Sequence, residues 1–203
     1  MSADRISSDA RIHGVSVQQR RERERAVRHE LIVRTARELA ESEGWDAVTT
    51  RRLSERIEYS QPVLYSHFAG KDAIVAAVAE QGFAELAAAR AAAGTAKEAV
   101  VAAIHTYLAF AEANPALYDA MFVLGTDLPF AQATTPAPLL AAFGQLHDVL
   151  APLAGDRDSG VFTEVWWSTM HGLITVARGG RIPAGGQEQR VAILVDQLTG
   201  TPP

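Results

Sequence analysis

The sequence contains no cysteine. That excludes disulfides, iron–sulfur clusters, thiolate zinc sites and cysteine nucleophiles. It also lacks any run of about 18 apolar residues, the length a transmembrane helix needs. The opening residues, MSADRISSDARIHGV, hold no apolar signal-peptide core. A cytoplasmic protein with no membrane partner is therefore expected. No alternating apolar–polar stretch reads as a strand, and no segment repeats. His105, His147 and His171 are scattered along the chain. Without cysteine or a paired His–carboxylate motif, neither a metal site nor another cofactor is expected.

What is present is ordinary for a globular protein: 48% hydrophobic and 21% charged residues. A chain of 203 residues fits one large domain, or a small domain fused to a larger one. The net charge of −5 hides a split. Residues 1–72 hold 13 basic and 12 acidic side chains, and residues 73–203 hold 6 and 12. An arginine-rich, near-neutral front on an acidic body is compatible with a nucleic-acid-binding module joined to a different kind of domain.

The apolar periodicity predicts an all-α fold of about nine helices. Residues 1–22 are polar without a period and read as a disordered arm. Its Arg5, Arg11, Arg20 and Arg21 are available to phosphates. A first helix is predicted over 23–43, with Val27, Leu31, Thr35 and Leu39 recurring every four positions beside Ile32, Ala36 and Ala40. Gly44 ends it, and Trp45 packs back. Thr50 is the expected N-cap of a second helix over 51–57. Ser60 caps a third over 61–68, with Pro62 in a first turn that needs no amide donor. Leu53, Ile57, Tyr59, Leu64 and Phe68 are assigned to the core. Lys71 opens a fourth helix reaching about residue 93. Thr95-x-x-Glu98 is a capping-box pattern and opens the fifth, which Asn114-Pro115 stops. Further helices are expected over 115–124, over 137–150, from Asp158 or Ser159 to 178, and over 187–198. The domains follow as arm 1–22, head 23–70 and body 71–203.

Two short helices joined by a tight turn are the helix-turn-helix arrangement, whose second helix lies in the DNA major groove. The chemistry of TTRRLSERIEYSQPVLYSHFAGKDAI suits that placement. Thr50 at a helix start, with Arg51 beside it, suits a phosphate. Gln61 can pair bidentately with adenine, and Pro62 and Val63 can pack on a thymine methyl. Tyr65 and His67 can donate to flanking phosphates. Lys71 opposes the macrodipole at a helix start, a conflict that a phosphate would remove.

This stretch, with Leu64-Tyr65, His67-Phe68 and Lys71 following the turn, resembles the TetR family of bacterial transcriptional regulators over residues 25–80. The resemblance implies a homodimeric DNA-binding regulator, most often a repressor, on a near-palindromic operator. In that family Tyr65, His67 and Lys71 would touch the DNA backbone. The family usually has Gly where this chain has Glu58, and a left-handed Glu58 would cost about 1 kcal/mol or more. A second resemblance is WSTMHGL, a Trp-x-x-x-His-Gly pattern of some TetR-family C-terminal domains. It implies dimerisation through the last two helices. It also implies a pocket for a small apolar or amphipathic effector, with His105, Tyr107, Phe110, Tyr118, Met121, Phe122, Trp167, Met170 and His171 as candidate contacts.

Most of the body's aromatic residues, Phe130, Phe143 and Trp166 among them, are expected in ordinary core. Glu164, Ser168 and His171 share a helix face, but adjacent turns of one helix rarely place nucleophile, base and orienter correctly, and no enzyme is expected. The competing reading is an all-α ligand-binding protein or enzyme whose helix-turn-helix is vestigial.

Overall fold

The computed structural model describes residues 3–89, 95–183 and 185–200. Among these, the chain forms nine α-helices and two short 3-10 turns, with no strand. It divides into two compact units, Met1–Val75 and Ala76–Pro203, so the boundary falls five residues later than position 70, inside the fourth helix.

The first unit is built on α1 (Ala3–Glu43). This helix starts far ahead of the expected residue 23, and the segment read as a disordered arm continues it. Polar spacing accounts for the extension over residues 18–28. Gln18 donates to Glu22 at 3.0 Å, and Glu24 pairs with Arg20 at 3.5 Å and Arg28 at 3.6 Å. Each is an i,i+4 contact that stabilises helix without needing a core. Arg20 and Arg21 are exposed on it; the side chains of Arg5 and Arg11 lie outside the described ones.

Val27, expected as a core anchor, is 64% exposed, whereas Ile32, Val33, Ala36, Leu39 and Ala40 are buried. The apolar stripe thus begins a turn later than the periodicity indicated. Gly44, at φ 83°, ends α1, and a 3-10 turn at Trp45–Ala47 buries the Trp45 ring.

Helix α2 (Thr50–Arg56) is capped by Thr49, not Thr50: the Thr49 hydroxyl accepts from the Arg52 amide at 3.2 Å. Two adjacent threonines compete for one cap, and Thr49 has the extended backbone that the position requires. Helix α3 (Gln61–Tyr65) begins after Ser60 as expected but ends three residues before position 68. There the Ser66 hydroxyl donates to Val63 O at 2.6 Å and the ladder tightens to three-residue spacing. Leu53, Ile57, Leu64 and Phe68 are buried; Tyr59 is exposed. The turn's geometry explains Tyr59. Its amide closes back on Ser54 O at 3.1 Å while the Glu58 amide reaches Glu55 O at 3.4 Å. This is a Schellman closure with Glu58 at the left-handed position, φ 58°.

Helix α4 (Lys71–Ala88) carries the chain across the boundary between the units; the remainder of its expected span, 90–93, lies outside the described residues. In the second unit follow α5 (Ala96–Ala113), α6 (Pro115–Phe122), α7 (Ala137–Leu150), α8 (Ser159–Arg178) and α9 (Gln187–Thr199). The capping box is formed: Glu98 donates its amide to the Thr95 hydroxyl, and its carboxylate accepts from the Thr95 amide. The Thr95 amide and then its hydroxyl, both bonded to the carboxylate, hold the Glu98 carboxyl below its ordinary pKa. Asp158 caps α8 through the Val161 amide at 2.9 Å.

Helix α6 is buried on almost every side, through Ala116, Leu117, Tyr118, Ala120 and Met121, as its near absence of charge requires, and its one charged side chain, Asp119, is ion-paired. Around Tyr118 the core gathers side chains of α5, α8 and α9, including Ile104, Leu108, Met170, Val191 and Leu194. Phe130 and Phe143, expected in the core, are exposed. They lie in a loop and on the outer face of α7.

Substitutions at two positions test this packing. Removing the side chain at the left-handed position relieves about 1–2 kcal/mol of strain, partly offset by the greater chain entropy of glycine. Glu58→Gly is thus expected to raise the thermal midpoint by a few degrees; a lower midpoint would refute strain in the turn. In α4, a Cβ on Gly82 would stand 2.5 Å from Met121 Sδ and 2.9 Å from Leu117 Cδ1. Overpacking of this kind costs about 1–3 kcal/mol, against at most about 1 kcal/mol returned by helix propensity. Gly82→Ala is therefore expected to lower the urea midpoint, and Gly82→Val to lower it further.

Candidate nucleic-acid interface and small-molecule site

In the first unit, the packing of α3 determines what it can present. Leu64 is 0% exposed and Phe68 is buried, and together they fix the helix from behind. Gln61 and Pro62 in its first turn are exposed, Val63 is half-buried, and Tyr65 is 50% exposed. The Tyr65 hydroxyl lies 3.4 Å from the Thr50 hydroxyl, so the start of α2 and the end of α3 offer their polar groups together. Thr50 is free to do this because Thr49 does the capping. Arg51 is exposed beside them, its guanidinium on Glu55 at 2.9 Å, and that carboxylate raises its pKa.

His67 is half-buried. Its Nδ1 is buried and meets no hydrogen-bond partner among the described residues. Burial lowers its pKa first, and the neighbouring Arg25, His29 and Arg28 lower it further. The ring is therefore neutral near pH 7, an N–H donor and not a cation. Lys71 is half-buried and donates to Trp45 O at 2.5 Å. The macrodipole conflict raised by the sequence is thus answered inside the fold, by a backbone carbonyl.

Residues that sequence reasoning passed over stand at the far end of α3. Arg25 of α1 donates to Ser66 O at 3.0 Å, and the His29 ring lies 4.6 Å from Phe68. Their one-turn spacing with Ile32 was the available signal.

In the second unit, four of the anticipated contacts join in one series. Trp167 Nε1 donates to the Tyr107 hydroxyl at 3.1 Å. That hydroxyl lies 3.0 Å from the Tyr118 hydroxyl, which lies 2.6 Å from His171 Nδ1. Phe122 packs on Tyr118, Trp167 and His171 at centroid distances of 4.8, 5.8 and 5.6 Å. Burial pushes the Tyr107 phenol up to about 12, raises Tyr118 also, and lowers His171. All three are neutral near pH 7.

The other anticipated contacts are dispersed. Met170 is buried in the core, Phe110 packs at its edge and His105 is exposed. Met121 lies against Gly82. Glu164 and Ser168 are exposed, and the His171 nitrogen that has a partner is held by Tyr118, not Ser168. His147 bonds Ser159 at 2.9 Å. Two neighbours were missed: Phe83, 5.2 Å edge-on to Phe122, and Arg178, which lies 5.6 Å above the Tyr118 ring and pairs with Asp119 at 2.9 Å.

Residues 32–78 match the family model described as bacterial regulatory proteins, tetR family, and residues 100–198 match a tetracyclin repressor-like C-terminal domain. The tetracycline repressor protein class C of Escherichia coli is 46% identical over 54 residues, 27% of this chain and 25% of that protein. The chain's matches span 25% to 49% of the length of its curated relatives. A protein of unknown function from Rhodococcus sp. RHA1 superposes with a TM-score of 0.71 at 25% identity, covering 85% of this chain and 93% of that one. A TetR variant from Acinetobacter baumannii AYE, in complex with minocycline, shares the fold with a TM-score of 0.60 at 19% identity, covering 83% and 92%. Both halves of the chain therefore match the two domains of one group: the chain belongs to the TetR family of bacterial regulatory proteins.

Proposed function

We propose that this chain is a sequence-specific DNA-binding transcriptional regulator, a homodimeric repressor released by a small-molecule effector. The observation that carries the reading is the presentation of α3, with Leu64 and Phe68 buried behind it while Gln61, Pro62 and Tyr65 face outward. A helix held from one side with its first turn exposed is suited to the major groove. Gln61, Pro62 and Val63 read base edges. Thr50, Arg51, Tyr65, His67 and Lys71 hold the phosphate backbone, and Lys71 would exchange the Trp45 carbonyl for a phosphate oxygen.

Two further observations support the rest. Val161 and Val165, one turn apart on α8, are each 57% exposed in the single chain, and Ile193 on α9 is exposed as well. Apolar side chains on these helices favour pairing through the last two helices of two copies. The aromatic cluster of Tyr107, Tyr118, Phe122, Trp167 and His171 is suited to an apolar or amphipathic effector; the minocycline complex of the Acinetobacter protein is a precedent in the same fold. Two heads would then occupy successive major grooves about 34–36 Å apart. Effector binding would change DNA affinity by about 5–150-fold, with α4 as the covalent connection between the units.

Selection of bound duplexes from a random pool tests the reading. It should return a near-palindrome with half-sites one helical turn apart; no enrichment rejects it. On the selected site, Gln61→Ala should cost about 1–3 kcal/mol at one base position. Arg51→Gln should weaken all sequences alike and reduce the salt slope by about 1. For the dimer, Val161→Glu with Val165→Glu should halve the particle mass in light scattering while helical circular dichroism is retained. An unchanged mass would place the interface elsewhere.

A further inference from the structure

The series ending at His171 has a direction, and the direction can be read from its first member. An indole nitrogen only donates, so Trp167 must give its proton to the Tyr107 oxygen. Tyr107 is buried, and among the described residues the Tyr118 hydroxyl is the one acceptor facing its own proton. Tyr118 then gives its proton to His171 Nδ1. Running the last two steps backwards would leave the Tyr107 proton buried with no acceptor, which native interiors avoid.

Nδ1 is therefore the acceptor, and the neutral ring carries its proton on Nε2. No hydrogen-bond partner meets Nε2 among the described residues, and His171 is half-buried, not enclosed. Each bond in such a series polarises the next, so Nε2–H is a strengthened donor. Aromatic rings pack on the imidazole, with Tyr118 stacked at 5.6 Å, Phe122 edge-on at 5.6 Å and Trp167 tilted at 5.8 Å between ring centroids. The neighbouring cation, Arg178, is already neutralised by Asp119.

We infer that Nε2–H of His171 is the recognition point of the effector site, and that the effector is an uncharged aromatic molecule whose carbonyl oxygen accepts this proton. The inference rests on the reading of the second unit as effector-binding and adds the chemistry of what it takes. Rings flanking the donor favour a flat apolar body. An anion would be desolvated there without a free countercharge, and a ligand offering only N–H would set donor against donor. Tyr107, Tyr118 and Trp167 act through His171 as positioning residues.

Three probes of one shape test this: 2-acetylnaphthalene, 2-ethylnaphthalene and 2-naphthoate, titrated calorimetrically into the full chain. The ketone is expected to bind about tenfold or more tighter than either other probe, since a site built around a polar group rejects analogues that leave it unpaired. His171→Phe should make the ketone and the hydrocarbon equal. Tyr107→Phe should reduce the preference while leaving it measurable. Nitrogen-15 spectra of histidine-labelled protein should place the His171 proton on Nε2, and the ketone should shift that resonance. A proton on Nδ1, equal binding of ketone and hydrocarbon, binding of none of the probes at millimolar concentration, or a preference that survives His171→Phe would each overturn the assignment. None of these results bears on DNA selection, so the regulator reading stands or falls separately.

Discussion

The presentation of α3 depends on the burial of Leu64. Five residues make barely more than one turn, and a helix that short has no independent stability in water. It exists because Leu64 is fully buried and Phe68 follows it inward. Burying each such side chain contributes about 1.5–3 kcal/mol, enough to fix a turn that propensity alone would leave open. Everything exposed on the helix inherits its position from those contacts. So does the Thr50–Tyr65 pair, which joins the front of α2 to the back of α3.

The second unit solves a different problem, that of keeping polar groups inside an apolar core. Tyr107 and Tyr118 are buried among aliphatic and aromatic side chains, where an unpaired hydroxyl is costly. The series from Trp167 to His171 satisfies them in turn. The same arrangement keeps the imidazole neutral. Protonating Nδ1 would require the series to reverse, in the same direction as the burial that already lowers its pKa.

Local chemistry was legible in the sequence wherever one residue type has one structural use. Pro62 in a first helical turn, the Thr95–Glu98 capping box, the Asn114-Pro115 break and a cap at Asp158 or Ser159 were all readable, and the helix-turn-helix followed from the two short helices and the turn between them. Glu58 was readable as a departure; the left-handed backbone it adopts was one of two geometries the sequence left open, the other being a variant turn. The reading failed where neighbours of equal chemistry compete, as with Thr49 and Thr50, or where tertiary packing decides, as with Val27 and Tyr59. Helical pattern gave no way to tell which valine on a continuous amphipathic face meets a partner. The start of α1 was missed because charged pairs, not apolar periodicity, carry that part of the helix. The Trp167–Tyr107–Tyr118–His171 series was beyond reach, since its bonded members lie up to 60 positions apart and only the fold brings them together.

The arginines of the first unit are seldom unaccompanied. Arg20 and Arg28 share Glu24, Arg34 faces Glu38, Arg51 holds Glu55, and Arg52 and Arg56 converge on Glu43. A polyanion must compete with these carboxylates before it gains a counterion-release benefit. In the proposed regulator, indiscriminate adhesion to DNA would thereby be kept low, and discrimination would fall to the few uncharged side chains in the first turn of α3. Such a molecule would spend little time trapped on irrelevant sequence, and its search would be governed by shape and base edges more than by charge.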